Sequence, residues 1–579
     1  MRTIAEEIEQ AEAVVAVQNY DGLQDIGTNL NARSHQQASN VELTHSAVWA
    51  LGFCKHLYIE ARSLDAVPFA QASLCWSRTL KSDELQQRAL TACGLLLGDL
   101  GDVAGAIEYH VSALRLAGER GKPVEASRCW INIGSSFGAA GNYKLAASCY
   151  SRGVDVISSI GGPLHSRFAA QGNLALCHLR NGNSEAGLAE AHKALHELTQ
   201  EIRDNDAHSV MLLHRNMVRL YIALNQMSDA EFHLAKVTEM ARTISNPRAD
   251  IACATAQAAY ELANGMGDLA LTRLSDALVS ARKVPGVLSD TLICVAKAEE
   301  ESGRPDKARL RIRELADHAF ESAIEKTRKN IQLAHVFAVT DVDSVAVGGP
   351  RGDIRMPRLE VPAEWDTVAR LAVTASLRVD DTGWHGVRVG ALTKSLALEC
   401  GYGAIDALEI GLAAQLHDIG MLSVPDSIAM RKGILIADER IIVERHIEAG
   451  SAMLTIDKHP RWQIAKEIAT YHHARWDGHG APKVIAGINI PMPARMCAVA
   501  DAYDSLVTAR PWRPAITMQE ALCELRAHAG TQFDAGIVER FGNMVEREVT
   551  DLGIDPSLDP ALNGFQAVID SLSRDKGFV

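Results

Sequence analysis

The sequence predicts an all-α protein in two parts, a helical solenoid followed by a helical bundle. Three observations predict it. A turn-like Gly or Asn, with Ala or Gly five residues later, recurs six times between residues 101 and 308. Apolar stretches with helical spacing flank each recurrence. Beyond residue 365, histidines and aspartates return every 26 to 32 residues, about the length of one helix out and one helix back.

Bulk properties narrow the class. A chain of 579 residues exceeds what one hydrophobic core holds, so two or more domains are expected. Apolar content of 47% and charged content of 22% are ordinary for globular protein. The net charge of −14 argues against a polymeric nucleic acid as partner. It leaves room for a small phosphate ligand held by local arginines and metal ions. Eleven scattered cysteines form no CxxC pair, which fits reduced thiols and a cytoplasmic location and indicates neither a zinc ribbon nor a disulfide framework. No run of 18 apolar residues occurs, and the start "MRTIAEEIEQ" carries acids, so neither a membrane span nor a signal peptide is expected.

The first part rests on the series "GDVAGA" at 101, "GNYKLA" at 141, "GNSEAG" at 182, "NQMSDA" at 225, "GMGDLA" at 265 and "GRPDKA" at 303, with starts 38 to 43 residues apart. Asn225 takes the glycine position in the fourth unit, and Asn is the next-best residue at a left-handed helix end. Each unit reads as helix, tight turn, helix. One such hairpin cannot bury its apolar face alone, but a stack can. The series resembles tetratricopeptide repeats in a lengthened form of about 40 residues. A weaker, earlier unit surrounds "RSLDAVPFAQASLCW". Residues 1–340 are therefore expected to form the repeat domain. Its expected role is docking of a protein partner or sensing, against the plainer reading of a scaffold without ligand. The Gly-, Pro- and Asp-rich stretch 341–364 is the expected linker, 365–550 the second domain and 551–579 a C-terminal tail.

The second part carries the chemistry. Its metal-ligand candidates are Asp381, His385, His417, Asp418, His446, His472, His473 and Asp501. They sit in or beside helical stretches such as "EIGLAAQLHD" and "WQIAKEIATYHH", so each can return to one central point of a bundle. Adjacent helical residues diverge by about 100°. His472 and His473 therefore suit neighbouring ions, and Asp418 can bridge two ions while His417 holds one. Mixed imidazole and carboxylate donors suit iron or manganese. A two-metal site can activate water and clamp a phosphodiester for in-line attack.

The ordered motifs "HDIG", His446 with Gly450, "HHARWDGHGAP", "VADAYDSL", "RPWRP" and "GTQFDAGIVERF" resemble the HD-GYP branch of the HD phosphohydrolases, from about residue 370 to 542. The resemblance implies a helical fold, two or three divalent transition-metal ions and hydrolysis of cyclic di-GMP or a related cyclic dinucleotide. By position, His417 and Asp418 match the catalytic HD pair. His446, His472, His473 and Asp501 match the other ligands, and His385 the first-helix histidine. Asp381 falls where some members carry a Glu for a third ion. Arg495, Arg510 and Arg513 match family arginines, for which phosphate binding competes with a helix-end or ion-pair role. Gly478, His479 and Gly480 form the loop expected to face substrate. Trp476 and Trp512 suit either packing or stacking on a guanine. A homodimer is left open.

Three positions depart from the family pattern. Met421 stands where a Lys follows "HDIG", Ala481 replaces the Tyr of "GYP", and Ala474 replaces the Glu of "HHE". The ligand set is kept while the substrate set is altered. The alternative to an enzyme is therefore a weak or silent receptor or adaptor for cyclic di-GMP.

Overall fold

Six consecutive helices, Ser63–Thr79, Asp83–Asp99, Val103–Glu119, Pro123–Ala139, Tyr143–Ser159 and Leu164–Arg180, are each 17 residues long. The regularity comes from the turns. All six predicted turn residues, Gly101, Gly141, Gly182, Asn225, Gly265 and Gly303, have φ between 57° and 87°. A left-handed residue ends one helix and lets the next amide bond back, as in Asp102 N to Leu97 O at 3.0 Å. In two of these turns the following polar residue also caps the next helix, whereas Gln226 and Met266 make no side-chain cap. Asp102 accepts from Gly105 N at 2.9 Å, and Asn183 from Ala186 N at 3.4 Å. There stop and start signals sit on consecutive residues, and the chain reverses without a long loop.

The computed structural model describes residues 4–16, 23–32, 39–59, 62–200, 202, 207–283, 287–338, 363–378, 380, 383–429, 435–456, 460–483, 485–508 and 513–552. Among them the fold is all-helical, with one isolated bridge between Ala529 and Phe533 and no strand. The expected linker lies outside the described residues as far as 362, as does the expected tail from 553. All eleven cysteines are free. No helix among the described residues is long and apolar enough to cross a membrane.

Two compact units emerge. One comprises Lys122–Gly138 and Tyr143–Ala319, the other Met1–Gly121, Ala139–Asn142 and Phe320–Val579. In the first, Leu164–Arg180 pairs with Ser184–His196, Ala207–Ala223 with Met227–Ile244, and Pro247–Ala263 with Gly267–Ala281. The first helices of these hairpins also touch one another in succession, so each hairpin buries its apolar face on the next. Phe168, Met217 and Leu220 fill one such layer, and Leu274, Leu292 and Leu315 another.

In the second unit, Asn40–Ile59 pairs with Ser63–Thr79 and Asp83–Asp99 with Val103–Glu119. The weaker unit around residues 62–76 is thus a helix of a real hairpin. The same unit holds a bundle built from 363 onward, with Val368, Leu396, Ile468, Tyr503 and Phe541 at its centre and Trp365 against Trp462 at 4.7 Å. The turn at 101–105 is bonded to the helix Ala363–Ser376. Arg370 Nε donates to the buried Asp102 Oδ2 at 3.0 Å, and Ala104 N donates to Thr374 Oγ1 at 3.1 Å. Asn330 Nδ2 donates to Leu100 O at 2.9 Å. One partner of each bond lies in the first repeat turn, more than 200 residues from the other.

Gly182 isolates the backbone requirement, because a Cβ there meets nothing within 4 Å. Gly182→Ala should therefore lower stability by about 1–2 kcal/mol through the left-handed φ alone. Asn225→Gly should be neutral or slightly stabilising. Urea-unfolding midpoints at unchanged slope check both.

Candidate metal centre

Five segments bring the predicted ligands together. His385 opens the helix His385–Glu399 and His446 the helix His446–Met453. His417 and Asp418 lie between Ala404–Ala414 and the 3-10 turn Ile419–Ser423. His472 and His473 follow the helix Pro460–Tyr471, and Asp501 lies inside Met492–Val507. Gly420 lets the 3-10 turn reach the His446 helix. A Cβ there would overlap the His446 carbonyl oxygen and crowd Gly450 N. The "HDIG" glycine and the glycine four residues after His446 are thus one close backbone crossing.

Asp418 is common to two donor groups. One is Asp418, His446, His472 and His473, the other His385, His417 and Asp418, each with ligand atoms within 4.8 Å of one another. Asp418 Oδ1 is 3.4 Å from His446 Nε2 and 3.5 Å from His472 Nε2, while its Oδ2 is 3.5 Å from His417 Nε2. Asp501 Oδ1 is 3.1 Å from His385 Nε2 and 3.9 Å from His417 Nε2. Two ligand atoms each about 2.1 Å from one ion stand roughly 3–3.5 Å apart, so several of these pairs have the spacing of co-ligands.

The backbone sets the tautomers. Nδ1 of His417, His446 and His472 lies 2.9, 2.6 and 3.1 Å from the carbonyl oxygens of Ala414, Val443 and Ile468. A carbonyl only accepts, so Nδ1 carries the hydrogen and the lone pair of Nε2 points inward. His417 Nε2 is buried with no hydrogen-bond partner. His446 Nε2 and His472 Nε2 face each other at 3.5 Å with no protein hydrogen between them. A cation resolves both arrangements, and the residues present fit a metal ion.

The electrostatics agree for both aspartates and for His417 and His446, whereas at His472 burial is outweighed by the hydrogen bond and charge of Asp418, which raise that imidazole. Burial works to raise the Asp418 carboxyl, but His417, His472 and His446 outweigh it and hold the group well below the usual carboxylate range. Burial works the same way on Asp501, where His385 and His417 prevail. Both therefore remain anions. Burial pushes His417 and His446 down, against the pull of Asp418, and so favours neutral, ligating imidazoles.

The loop after His473 is tied from behind. Trp476 N donates to Gln532 O at 3.0 Å and Asp477 N to Thr531 O at 2.9 Å, so the "GTQF" motif backs "HHARWDGHGAP". Arg475 pairs with Asp477 at 2.7 Å and reaches Gln532 Oε1 at 3.2 Å. Gly478 has φ of 79°, and a Cβ at Gly480 would press on Arg475 N and His473 O. His479 is exposed, and its amide is turned back onto Asp477 Oδ1 at 3.0 Å.

Of the arginines expected to bind phosphate, Arg495 and Arg513 have protein partners. Arg495 donates to Ile490 O at 2.9 Å, pairs with Asp534 at 2.7 Å and lies over the Trp476 ring at 5.8 Å. Arg513 donates to the carbonyls of Ser505 and Leu506 at the end of the Asp501 helix. Met421 is buried, and Ala474 packs with Ile490 and Ala494. Asp381, Arg510 and Trp512 lie outside the described residues.

Sequence reasoning missed the groups that hold these ligands. Asp504 Oδ2 lies 2.7 Å from His385 Nδ1, which it orients. Arg388 donates to both Asp504 oxygens, at 2.6 and 3.0 Å, and to Asp380 at 3.0 Å. All four side chains are buried. Their signal was present: Arg388 and Asp504 each follow a ligand by three residues and so share its helix face. Arg378 Nη1 lies within 3.1 Å of the carbonyls of Met421, Leu422 and Val424, and the arginine pairs with Asp426 at 2.9 Å. It ties down the end of the turn that carries Asp418.

A helical bundle with a histidine-aspartate centre around one shared carboxylate defines a class, and residues 370–537 match the sequence profile of the HD domain. The C-terminal part of this chain is thus similar to HD domains and to the cyclic dinucleotide phosphodiesterases of several bacteria. It is 36% identical over 182 residues to a cyclic di-GMP phosphodiesterase of Thermotoga maritima, covering 31% of this chain and 49% of that protein. Over 174 residues it is 37% identical to a 3'3'-cGAMP-specific phosphodiesterase of Vibrio cholerae, covering 30% and 33%. A cyclic di-GMP phosphodiesterase response regulator of Xanthomonas campestris is 36% identical over 176 residues, covering 30% and 47%. The chain thus spans less than half the length of each of these relatives.

Two outcomes are expected. Gly420→Ala should separate the turn from the His446 helix, lowering both stability and metal content, as melting and elemental analysis would register. Asp504→Asn should lower metal affinity about 10–100-fold while the helical circular dichroism is kept, because it loosens His385 without removing a ligand. Competition with a calibrated chelator measures the affinity.

Proposed function

We propose that the chain is a metal-dependent cyclic dinucleotide phosphodiesterase whose repeats dock a protein partner. The observation that carries the reading is Asp418, one carboxylate shared by two groups of inward-pointing histidines. His385, His417, His446, His472, His473 and Asp501 would complete the holding of two divalent ions, iron or manganese by donor type. A third ion would draw on Asp381. Such ions, when bound, lower the pKa of water and offset charge on the phosphate.

The chain's own groups then have separate tasks. Asp418 and His417 anchor the centre at the reacting phosphodiester. The carbonyls behind His417, His446 and His472 keep their Nε2 atoms aimed inward. The loop Gly478–Gly480 is the proposed rim for the substrate, and Arg510 is a candidate cation for its phosphate. Cyclic di-GMP is the favoured substrate and 3'3'-cGAMP the next, in line with the relatives' activities. Products would be the linear dinucleotide and then mononucleotide. Eleven free cysteines support a reducing, cytoplasmic setting.

A second reading, a weak or silent receptor for the dinucleotide, draws on a specific observation. Met421 supplies no cation, and Arg495 and Arg513 are already engaged with Asp534 and with helix carbonyls. One missing charge-assisted hydrogen bond is worth roughly 1.5–3 kcal/mol. That corresponds to about one to two decades of rate if the bond forms mainly in the transition state.

Slow but measurable hydrolysis is therefore expected. Protein loaded anaerobically with Fe(II) or Mn(II) should turn over cyclic di-GMP, and Asp418→Ala should reduce this to background. Binding without turnover above that background would favour the receptor reading.

A further inference from the structure

The repeat unit Lys122–Gly138 and Tyr143–Ala319 contains a charge arrangement that the metal centre does not explain. Arg215 and Arg219 lie one turn apart on the helix Ala207–Ala223, hence on one face. Like charges at this spacing repel. No hydrogen bond or ion pair engages either residue among the described residues. Arg215 Nε is buried without a hydrogen-bond partner. Arg180, at the end of Leu164–Arg180, meets Asp290 of Leu288–Glu301 only at 3.7 Å, beyond hydrogen-bond range. Arg180 also lies over the Tyr143 ring at 5.8 Å, and among the described residues Asp290 is the one carboxylate acting on Arg180 and Arg215 together.

The packing gathers them. Leu164–Arg180, Ala207–Ala223 and Pro247–Ala263 are the first helices of successive hairpins, Leu288–Glu301 follows the last of them, and the four touch in sequence. The third of these, "PRADIACATAQAAYELA", is rich in alanine, so its neighbours draw close across it. The charged groups acting on Arg215 accordingly come from three helices: Arg219 beside it, Arg180 before it and Asp290 beyond the alanine-rich helix. Burial, then Arg219, pushes the Arg215 guanidinium down to about 10 against the opposing pull of Asp290.

A guanidinium with a buried, unbonded Nε and only a distant, shared counter-charge costs free energy in the unliganded fold, and an arriving anion recovers it. We infer that Arg180, Arg215 and Arg219 form an anion site on the first-helix layer that receives the carboxylates of an acidic peptide segment of the docked partner. The inference rests on the reading of the repeats as a docking surface and names the chemistry of what docks. A peptide suits the arrangement better than a single small ion, because the cations belong to two helices and the layer continues to either side. The rest of the chain strengthens selectivity. At a net charge of −14, an acidic peptide is repelled by most of the surface and retained only where guanidinium groups are clustered.

The test uses the full chain and fluorescein-labelled hexaglutamate, hexaglutamine and hexalysine, followed by anisotropy at low salt. Hexaglutamate is expected to bind saturably and the other two not. Arg215→Met and Arg219→Met should each weaken it about tenfold or more. Arg215→Met should leave the melting temperature unchanged or raised, since it removes an unpaired buried charge. Asp418→Ala should still bind, which separates this site from chelation at the metal centre. Absence of saturable hexaglutamate binding, or binding indifferent to Arg215→Met, overturns the inference. So does full displacement by inorganic phosphate at concentrations comparable to the peptide, which would mark a small-anion site. Arginine-independent binding of hexaglutamine or hexalysine overturns the acidic chemistry while leaving docking by the repeats in place.

Discussion

The position of one carboxylate, Asp418, governs the chemistry of this molecule. Its two oxygens face imidazoles from opposite sides, and each of these imidazoles has its other nitrogen turned to a main-chain carbonyl. Helix-end carbonyls supply those acceptors, and Ile468 O and Ala414 O also take the backbone N–H groups of His472 and His417, since a carbonyl oxygen has two lone pairs. Backbone geometry therefore sets side-chain tautomers, and the tautomers determine which nitrogens face inward. Without a cation, inward lone pairs and two carboxylates would face one another in a space with little water. The centre is a set of mutually repelling donors held by the fold around it.

What holds it is a second ring of contacts with strong charge pairing. The buried Arg388 satisfies Asp504 and Asp380 together, and Asp504 in turn fixes His385. Arg378 gathers three carbonyls at the end of the 3-10 turn beyond Asp418. Gly420 permits the crossing that brings this turn to His446. Each device acts on backbone or on a ligand's far side, so the inward faces stay free for metal and substrate. The proposed substrate rim is built differently. Its tryptophan, Trp476, and two of its arginines are engaged by neighbouring protein groups, and Met421 is buried.

Much of this was legible in the chain. The repeats were, because a left-handed turn residue between two helices is a local event, and Gly101, Gly141, Gly182, Asn225, Gly265 and Gly303 all adopt the conformation that their residue types suggested. The convergence of His385, His417, Asp418, His446, His472 and His473 was legible through helix-length spacing. Asp504 and Arg388 were not, although each lies three residues from a ligand. A buried Asp–Arg pair and an exposed one look alike in sequence, and the partners here are 116 residues apart. Arg495 and Arg513 were ambiguous for the same reason, since a guanidinium suits phosphate, carboxylate and carbonyl equally well.

The sequence by itself determined the helices, their turns and the chemical identity of the donors, because these depend on residues within about one helical turn of each other. Tertiary structure alone decided which atoms point inward, which cations are already engaged, and that the turn at 101–105 is bonded to the helix that leads into the metal centre. Those outcomes depend on how helices far apart in the chain come to pack. Burial then turns a modest local preference into a requirement, since a polar group removed from water must find its partner wherever the fold has placed one.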